Sequence, residues 1–343
     1  MVWIPNKREY LARRLRDCGV IRLIEAAARR RALLVLTYHR IGNPAASADY
    51  APIFAATPEA LAKTLRALAN SHKIVGLNDV ATLAESDFAV DAPTALVTFD
   101  DGYRDNLTEA LPILRDLKIP ATFFLTTDFL EGARIPWWDR IARTVRRSTV
   151  ATLTLDHPAR VVVNLRDTPR DQAIYEVVRA YRDNPVDDED AYFAALEDRA
   201  AVPCDVNDAA RGLFLSWDDV RAAAGSGIDI GAHGQTHRRL SWLSEAEQRQ
   251  ELERSKALLV SCLNRAIVAL AYPYGWPGAF DATTERLARA TGYRIAFSAE
   301  DGVNRPGRTN PFAIRRLGVG FADSPALLRA RWTLHESVGR SVL

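Results

Sequence analysis

The run Ala95-Leu96-Val97-Thr98-Phe99 leads directly into Asp100-Asp101-Gly102-Tyr103, so an apolar strand ends on two adjacent carboxylates and a glycine. Carboxylates seldom sit beside a buried strand unless a metal or a cationic partner holds them, because stripping water from a charge is costly. Neighbouring side chains on a strand point to opposite faces. Asp100 and Asp101 can therefore serve one place only where the chain turns out of the sheet at Gly102. Taken alone, the same stretch also fits a strand-end aspartate that caps the following helix.

Outward from this stretch, apolar runs of strand length recur at residues 33–38, 121–125, 228–232, 267–272, 295–297 and 312–314. Helix signals fill the gaps. Thr57 and Pro58 place a cap and a first-turn proline ahead of a Leu61, Leu65, Leu68 stripe, and Ser244 with Glu247 forms a capping box opening a helix to about Leu263. Ser216 with Asp219 opens a shorter helix that Gly225 or Gly227 ends. Strands alternating with helices define an α/β chain with a mostly parallel sheet. The interval 132–215 breaks the rhythm, with a hairpin (152–155 and 161–165) followed by two helical segments. Asp187, Asp188, Glu189 and Asp190 start the second, where negative charge suits the helix dipole. The interval reads as an inserted α+β segment.

The 343 residues, 48% hydrophobic and 26% charged, exclude wholesale disorder. With 45 Lys+Arg against 43 Asp+Glu, the net charge of +2 argues against nucleic acid as the principal partner. Cys18, Cys204 and Cys262 are scattered and odd in number, which speaks against a disulfide scaffold or a cysteine zinc site and fits a reducing, cytoplasmic compartment. No run approaches the roughly 18 apolar residues of a membrane span. Residues 7–31 carry nine Lys or Arg against three acids, with Leu11, Leu15 and Cys18 on one helical face. Such a basic helix either packs on the domain or lies on the anionic inner face of a membrane.

A second chemical stretch, Gly231-Ala232-His233-Gly234-Gln235-Thr236-His237, again follows a strand. Imidazoles at i and i+4 reach one ion when the segment is helical or tightly turned, although surface histidines also fall at this spacing. Together the two stretches offer Asp, His and His, a donor set that zinc accepts with one position left open. A water bound there loses proton affinity, and the second carboxylate can take its proton as it attacks a carbonyl.

On these motifs the sequence resembles the polysaccharide deacetylases with the NodB homology domain, carbohydrate esterase family 4. Thr98 through Gly102 corresponds to the family's Thr-Phe-Asp-Asp-Gly, implying Asp100 as general base and Asp101 as metal ligand. His233 through His237 corresponds to His-(Ser/Thr)-x-x-His, implying both imidazoles as ligands, with Gly234 where a hydroxyl residue is usual. The third motif, Arg-x-Pro-Tyr-Gly, stands as Ala271-Tyr272-Pro273-Tyr274-Gly275. The arginine that orients the catalytic aspartate in the family is missing, and Arg40, Arg315 and Arg316 are the candidate replacements. The resemblance also implies that the Tyr274 backbone N–H shares the oxyanion.

The family's Asp-Trp and Leu-x-His motifs have no counterpart. His39, in Thr37-Tyr38-His39-Arg40, is the candidate general acid on the same rim, with strand capping as its alternative. Tyr103, Tyr274 and Trp276 are candidate substrate contacts. Trp137-Trp138 fits core packing of the insertion or a sugar platform, and His72, His157 and His335 read as surface histidines.

The resemblance implies a distorted (β/α)7 barrel, placed over residues 32–320; it leaves unexplained the insertion at about 132–215, the basic helical segment 1–31 and the C-terminal helix 321–343, which rest on the residue patterns. It further implies removal of N-acetyl, less often O-acetyl, groups from an acetylated oligo- or polysaccharide; the basic N-terminal segment admits a lipid-linked sugar as one form of that substrate. The cofactor would be a divalent metal, zinc first, with cobalt and nickel as alternatives. The missing arginine and histidine also admit a catalytically impaired carbohydrate-binding member, and a different pocket would admit an amidase acting on a non-sugar acyl amide. The oligomeric state is left open.

Overall fold

The computed structural model describes residues 7–27, 31–132, 134–202 and 212–338. Helices α1 (Lys7–Asp17) and α2 (Val20–Ala27) come first, then β1 (Leu33–Tyr38), β2 (Arg40–Ile41), β3 (Phe54–Ala56), α3 (Pro58–Ala69), β4 (Lys73–Ile74), α4 (Leu77–Glu85) and β5 (Thr94–Phe99). After α5 (Leu111–Asp116) and β6 (Thr122–Leu125) the insertion supplies α6 (Trp137–Arg147), β7 (Thr152–Leu155), β8 (Val161–Asn164), α7 (Arg170–Asp183) and α8 (Glu189–Ala200). The alternation resumes with α9 (Trp217–Gly225), β9 (Asp229–Ala232), α10 (Glu245–Leu263), β10 (Ala269–Ala271), α11 (Ala282–Ala290), β11 (Ile295–Phe297), β12 (Leu317–Gly318) and α12 (Pro325–Val338).

The strands lie in the order β11-β10-β9-β6-β5-β1-β12, with β4 also beside β5. Every neighbouring pair in that order is parallel. This curled parallel sheet with helices on its outside is a distorted (β/α)7 barrel of the NodB type, as expected. Alternation along the strands sorts the residues. Leu34, Leu36, Val97, Phe99 and Leu125 join Leu61, Leu65, Leu252 and Leu259 of the helix layer. Leu33, Val35, Leu96, Phe124 and Phe297 share the other cluster. The same two-residue period carries that second face onward to Thr37, Thr98 and Asp100.

The insertion has its own core. Trp137, Trp138, Ile141, Leu153, Val163, Val177, Tyr181 and Phe193 pack together and join Tyr103, Phe129 and Phe214. Its hairpin pairs Leu153 with Val163, and Asp188 caps α8 by accepting the Ala191 N–H at 2.9 Å.

Three expectations need correction. Residues 312–314 form no strand: Ile314 makes an isolated bridge to Phe297, and the ladder beside β1 is taken by Leu317 and Gly318. The apolar run is too short to hold a ladder before Arg315 and Arg316 interrupt it. The basic N-terminal segment is two helices, broken at Gly19 in left-handed conformation (φ 73°). Ala12 and Ile21, with Leu15 partly buried, pack on Leu327 and Ala330 of α12; Leu11 stays 45% exposed and Cys18 is exposed. His72 and His335 are buried. His72 Nε2 lies 2.6 Å from Glu336, a pairing between distant segments that local periodicity cannot show. His157 is exposed. Cys204, like the outermost residues of both termini, lies outside the described residues.

Candidate active site

The site begins where β5 runs out. The Asp100 N–H still donates to Tyr38 O at 2.9 Å, so Asp100 keeps the strand's inward direction. Asp101 (φ 74°) and Gly102 (φ 88°) then turn left-handed, which brings the second carboxylate to the same side. A Cβ on Gly102 would stand 3.0 Å from Leu125 Cδ2 as well as in a strained conformation.

The histidine turn leaves β9 in the same way. His233 N–H donates to Leu125 O at 2.8 Å, and Gly234 (φ 75°) and His237 (φ 62°) are left-handed. The usual hydroxyl residue is absent at Gly234, where a Cβ would meet Pro273 Cγ at 3.2 Å and Glu251 Oε2 at 3.3 Å. Buried Glu251 of α10 holds the turn instead. It accepts the Gln235 and Thr236 N–H groups at 2.9 Å each and the Thr236 hydroxyl at 2.5 Å. Sequence reasoning missed Glu251, since a lone acid on a charged helix carries no signal of its own.

Asp101 Oδ1 lies 3.5 Å from His233 Nε2 and 3.4 Å from His237 Nε2. One donor atom from each of the three residues falls within 4.8 Å of the others. His233 Nδ1 is 2.8 Å from Ala271 O; donating there, the ring turns the Nε2 lone pair to the cluster. Both Asp101 oxygens are buried without a hydrogen-bond partner. Burial, then the nearby Asp100 and Asp139 charges, push Asp101 well above the carboxylate range. Burial pushes both imidazoles down. Two imidazole nitrogens and a desolvated carboxyl group with no hydrogen-bond partner of its own form a donor set that fits a divalent metal such as zinc.

Asp100 is set apart from that cluster. Its Oδ1 accepts a hydrogen bond from Arg316 at 2.8 Å, while its Oδ2 is 4.0 Å from His233 Nε2. Burial alone would raise it, but Arg316, His233 and His39 hold it at about 2. Arg316 is itself fixed, donating to Ser298 O at 2.7 Å and Thr37 Oγ1 at 3.1 Å. Arg40 pairs with Asp49 and Asp105 and Arg315 with Glu300, so Arg316 is the candidate that reaches the aspartate.

These groups line a cavity of about 250 Å³ with His39, Tyr50, Trp137, Tyr274 and Trp276. Burial lowers His39 to about 4, so it stands there as a neutral imidazole. Tyr274 (φ 63°) sits 5.2 Å from His237 and 4.9 Å from Trp276, ring to ring. Three candidate residues, Asp101, His237 and Tyr274, thus hold left-handed backbone without being glycine, at a cost of about 1–3 kcal/mol each.

Tyr103 departs from expectation. It is wholly buried, its hydroxyl donating to Asp139 and accepting from Trp138 Nε1, each at 2.8 Å, so it supports the wall from behind. Trp137 and Trp138 are core residues of the insertion that also reach the site: Trp138 lies 5.0 Å from the His237 ring. A second cavity of about 320 Å³, with Arg134, Arg239 and half-exposed Trp242, shares Trp137, His237 and Tyr274 with the first.

A parallel barrel with hydrolytic groups on its strand ends is the class that fold and site define. The chain belongs to the polysaccharide deacetylase family, whose model matches residues 89–183 and 190–296. No curated protein matches. Among solved structures it is similar to the Streptococcus pyogenes deacetylase PplD in complex with acetate (17% identity, 87% of this chain and 96% of that one, TM-score 0.56). It is also similar to IcaB from Ammonifex degensii (21%, 88% and 97%, 0.55) and to the BpsB deacetylase domain from Bordetella bronchiseptica (17%, 85% and 97%, 0.52). At these identities the likeness bears on the fold.

Proposed function

We propose that this chain is a metal-dependent carbohydrate deacetylase that hydrolyses N-acetyl, or less often O-acetyl, groups on an oligo- or polysaccharide. The observation that carries the reading is Asp101, buried with both oxygens unpartnered and facing His233 and His237, beside an Asp100 that Arg316 keeps ionised. Asp101, His233 and His237 would hold the ion, zinc first and cobalt or nickel otherwise. Bound there, it supplies a Lewis acid that polarises the acetyl carbonyl and eases deprotonation of water.

The protein's own groups do the rest. Asp100, charged and aimed by Arg316, receives the proton of the attacking water. The Tyr274 N–H is assigned to the oxyanion. His39, neutral at the outset, serves the leaving amine by relaying a proton rather than by holding one in reserve. Tyr274 and Trp276 wall the sugar. The Arg316 contact restores what the missing motif arginine would supply, which favours catalysis over a binding-only member.

The reading extends to a cytoplasmic protein acting at the inner membrane face on a lipid-linked sugar. It rests on the basic first two helices, where Leu11, Leu23 and Tyr10 are exposed; among the described residues no helix is long and apolar enough to cross a membrane.

The test is Asp100→Asn. Acetate release from N-acetylhexosamine oligomers should fall by about 10²–10⁴ while metal content is unchanged. Undiminished turnover in that variant, or cleavage of small acyl amides with none of glycans, overturns the assignment.

A further inference from the structure

We propose that Trp137, at the start of α6 in the insertion, is a positioning residue for the Tyr274 turn. The kinetic half of this inference rests on the deacetylase reading above; the structural half does not.

Tyr274 and Gly275 are consecutive left-handed residues, each at φ 63°. On one side the turn presses against the chain after β11. A Cβ on Gly275 would stand 2.7 Å from Ala299 N, and Ala299 N–H donates to Gly275 O at 2.7 Å. That contact fixes Gly275 but not the Tyr274 side chain. On the other side the Trp137 indole N–H donates to the Tyr274 hydroxyl oxygen at 2.9 Å, with the two rings 18° from parallel and 6.4 Å apart.

Trp137 can serve as an anchor because it is itself held. It is buried, stacks on Tyr181 of α7 at 4.7 Å and meets Trp138 edge-on at 5.3 Å. The Tyr181 hydroxyl donates to Glu189 at 3.1 Å, and Glu189 pairs with Arg134 at 2.5 Å. A buried indole N–H needs an acceptor, and the one it has here is the Tyr274 hydroxyl, so holding Trp137 also holds the Tyr274 side chain. Any swing of Tyr274 would move both the backbone N–H assigned to the oxyanion and the ring beside His237. The insertion therefore acts on chemistry without lending a reacting group.

Two variants remove the bond from opposite ends. Trp137→Phe keeps an aromatic ring and loses the donor; Tyr274→Phe loses the acceptor and leaves the insertion untouched. Each should lower kcat on an N-acetylated oligosaccharide about tenfold, the worth of one hydrogen bond, with KM within about twofold and the double variant no worse. Amide hydrogen exchange in residues 274–276 should quicken about tenfold in each, with metal content unchanged. Unaltered exchange, an additive double variant, or a raised KM at constant kcat overturns the proposal, the last by making Trp137 a sugar platform. If the wild type releases no acetate, the deacetylase reading fails alone, and exchange still decides the brace.

Discussion

The barrel rim and the insertion meet at one cavity but contribute unlike things to it. The proposed ligands Asp101, His233 and His237, together with Asp100, stand just beyond the ends of β5 and β9, and Arg316 stands immediately before β12. The insertion supplies none of these. It brings Trp137, Trp138 and Val178, residues of its own apolar core, up against the rim. Around the proposed ligands the rim supplies the fixed charges, whereas the insertion supplies mostly apolar wall, with Arg182 as its charged contribution to the cavity. That division follows from packing: an apolar core can press a flat ring against a strand end at little cost, whereas a charge needs the dipoles and partners that strand ends and turns provide.

The largest effect expected on the rim side comes from the ligand set. His237→Ala should abolish bound metal and reduce acetate release to background, measured by metal analysis of the purified protein alongside the acetate assay. A variant that still binds stoichiometric metal would place the ion away from His237 and break the contrast between rim and insertion.

The rim was also the legible half. An apolar strand running into Asp-Asp-Gly, and a second running into two histidines four apart, are local patterns whose chemistry can be read before any fold is known. The strand and helix alternation was legible for the same reason, since periodicity is local. What escaped was held by contacts across the chain. Arg316 had two competitors in the sequence, and only the closing of β12 beside β1 selects it. Glu251 reaches the histidine turn from a helix whose outer face is equally acidic and basic. Tyr103 adjoins a motif yet faces backward, because the Asp139 carboxylate and the Trp138 indole N–H together saturate its hydroxyl. The double role of Trp137 depends on a partner 137 positions later.

Arg316 gives the next largest effect. Arg316→Met removes a charged hydrogen bond from a buried carboxylate, so kcat should fall about tenfold to a hundredfold with metal retained. Arg316→Lys should recover part of this, because an ammonium can meet Asp100 but not Ser298 and Thr37 at once. Steady-state kinetics at saturating substrate give the answer, and full activity in the methionine variant would show that Asp100 needs no orienting cation.

The effect expected to touch turnover least lies on the insertion side, at Asp139, and it is one of stability. Asp139 is buried where α6 meets the barrel, accepting the Tyr50 N–H and the Tyr103 hydroxyl at 2.8 Å each. Burial, and then the charge of Asp49, raise it to about 7 against the pull of Arg40. The sign follows from linkage. A carboxyl whose folded value lies above its unfolded value of about 4 takes up a proton on folding, so its contribution is complete below about pH 4 and is lost as pH rises toward 7. Across that window the slope is roughly 1.4 kcal/mol per pH unit. Wild-type Tm should therefore fall from pH 5 to pH 7 relative to Asp139→Asn, whose amide cannot ionise, and the two curves should run parallel above about pH 8. Parallel curves throughout would mean that Asp139 is already charged in the folded protein. The insertion already meets the barrel side through the Arg143–Asp49 ion pair; a charged Asp139 would add a buried negative charge to that seam, and its role as a neutral hydrogen-bonding group between the two regions would fail.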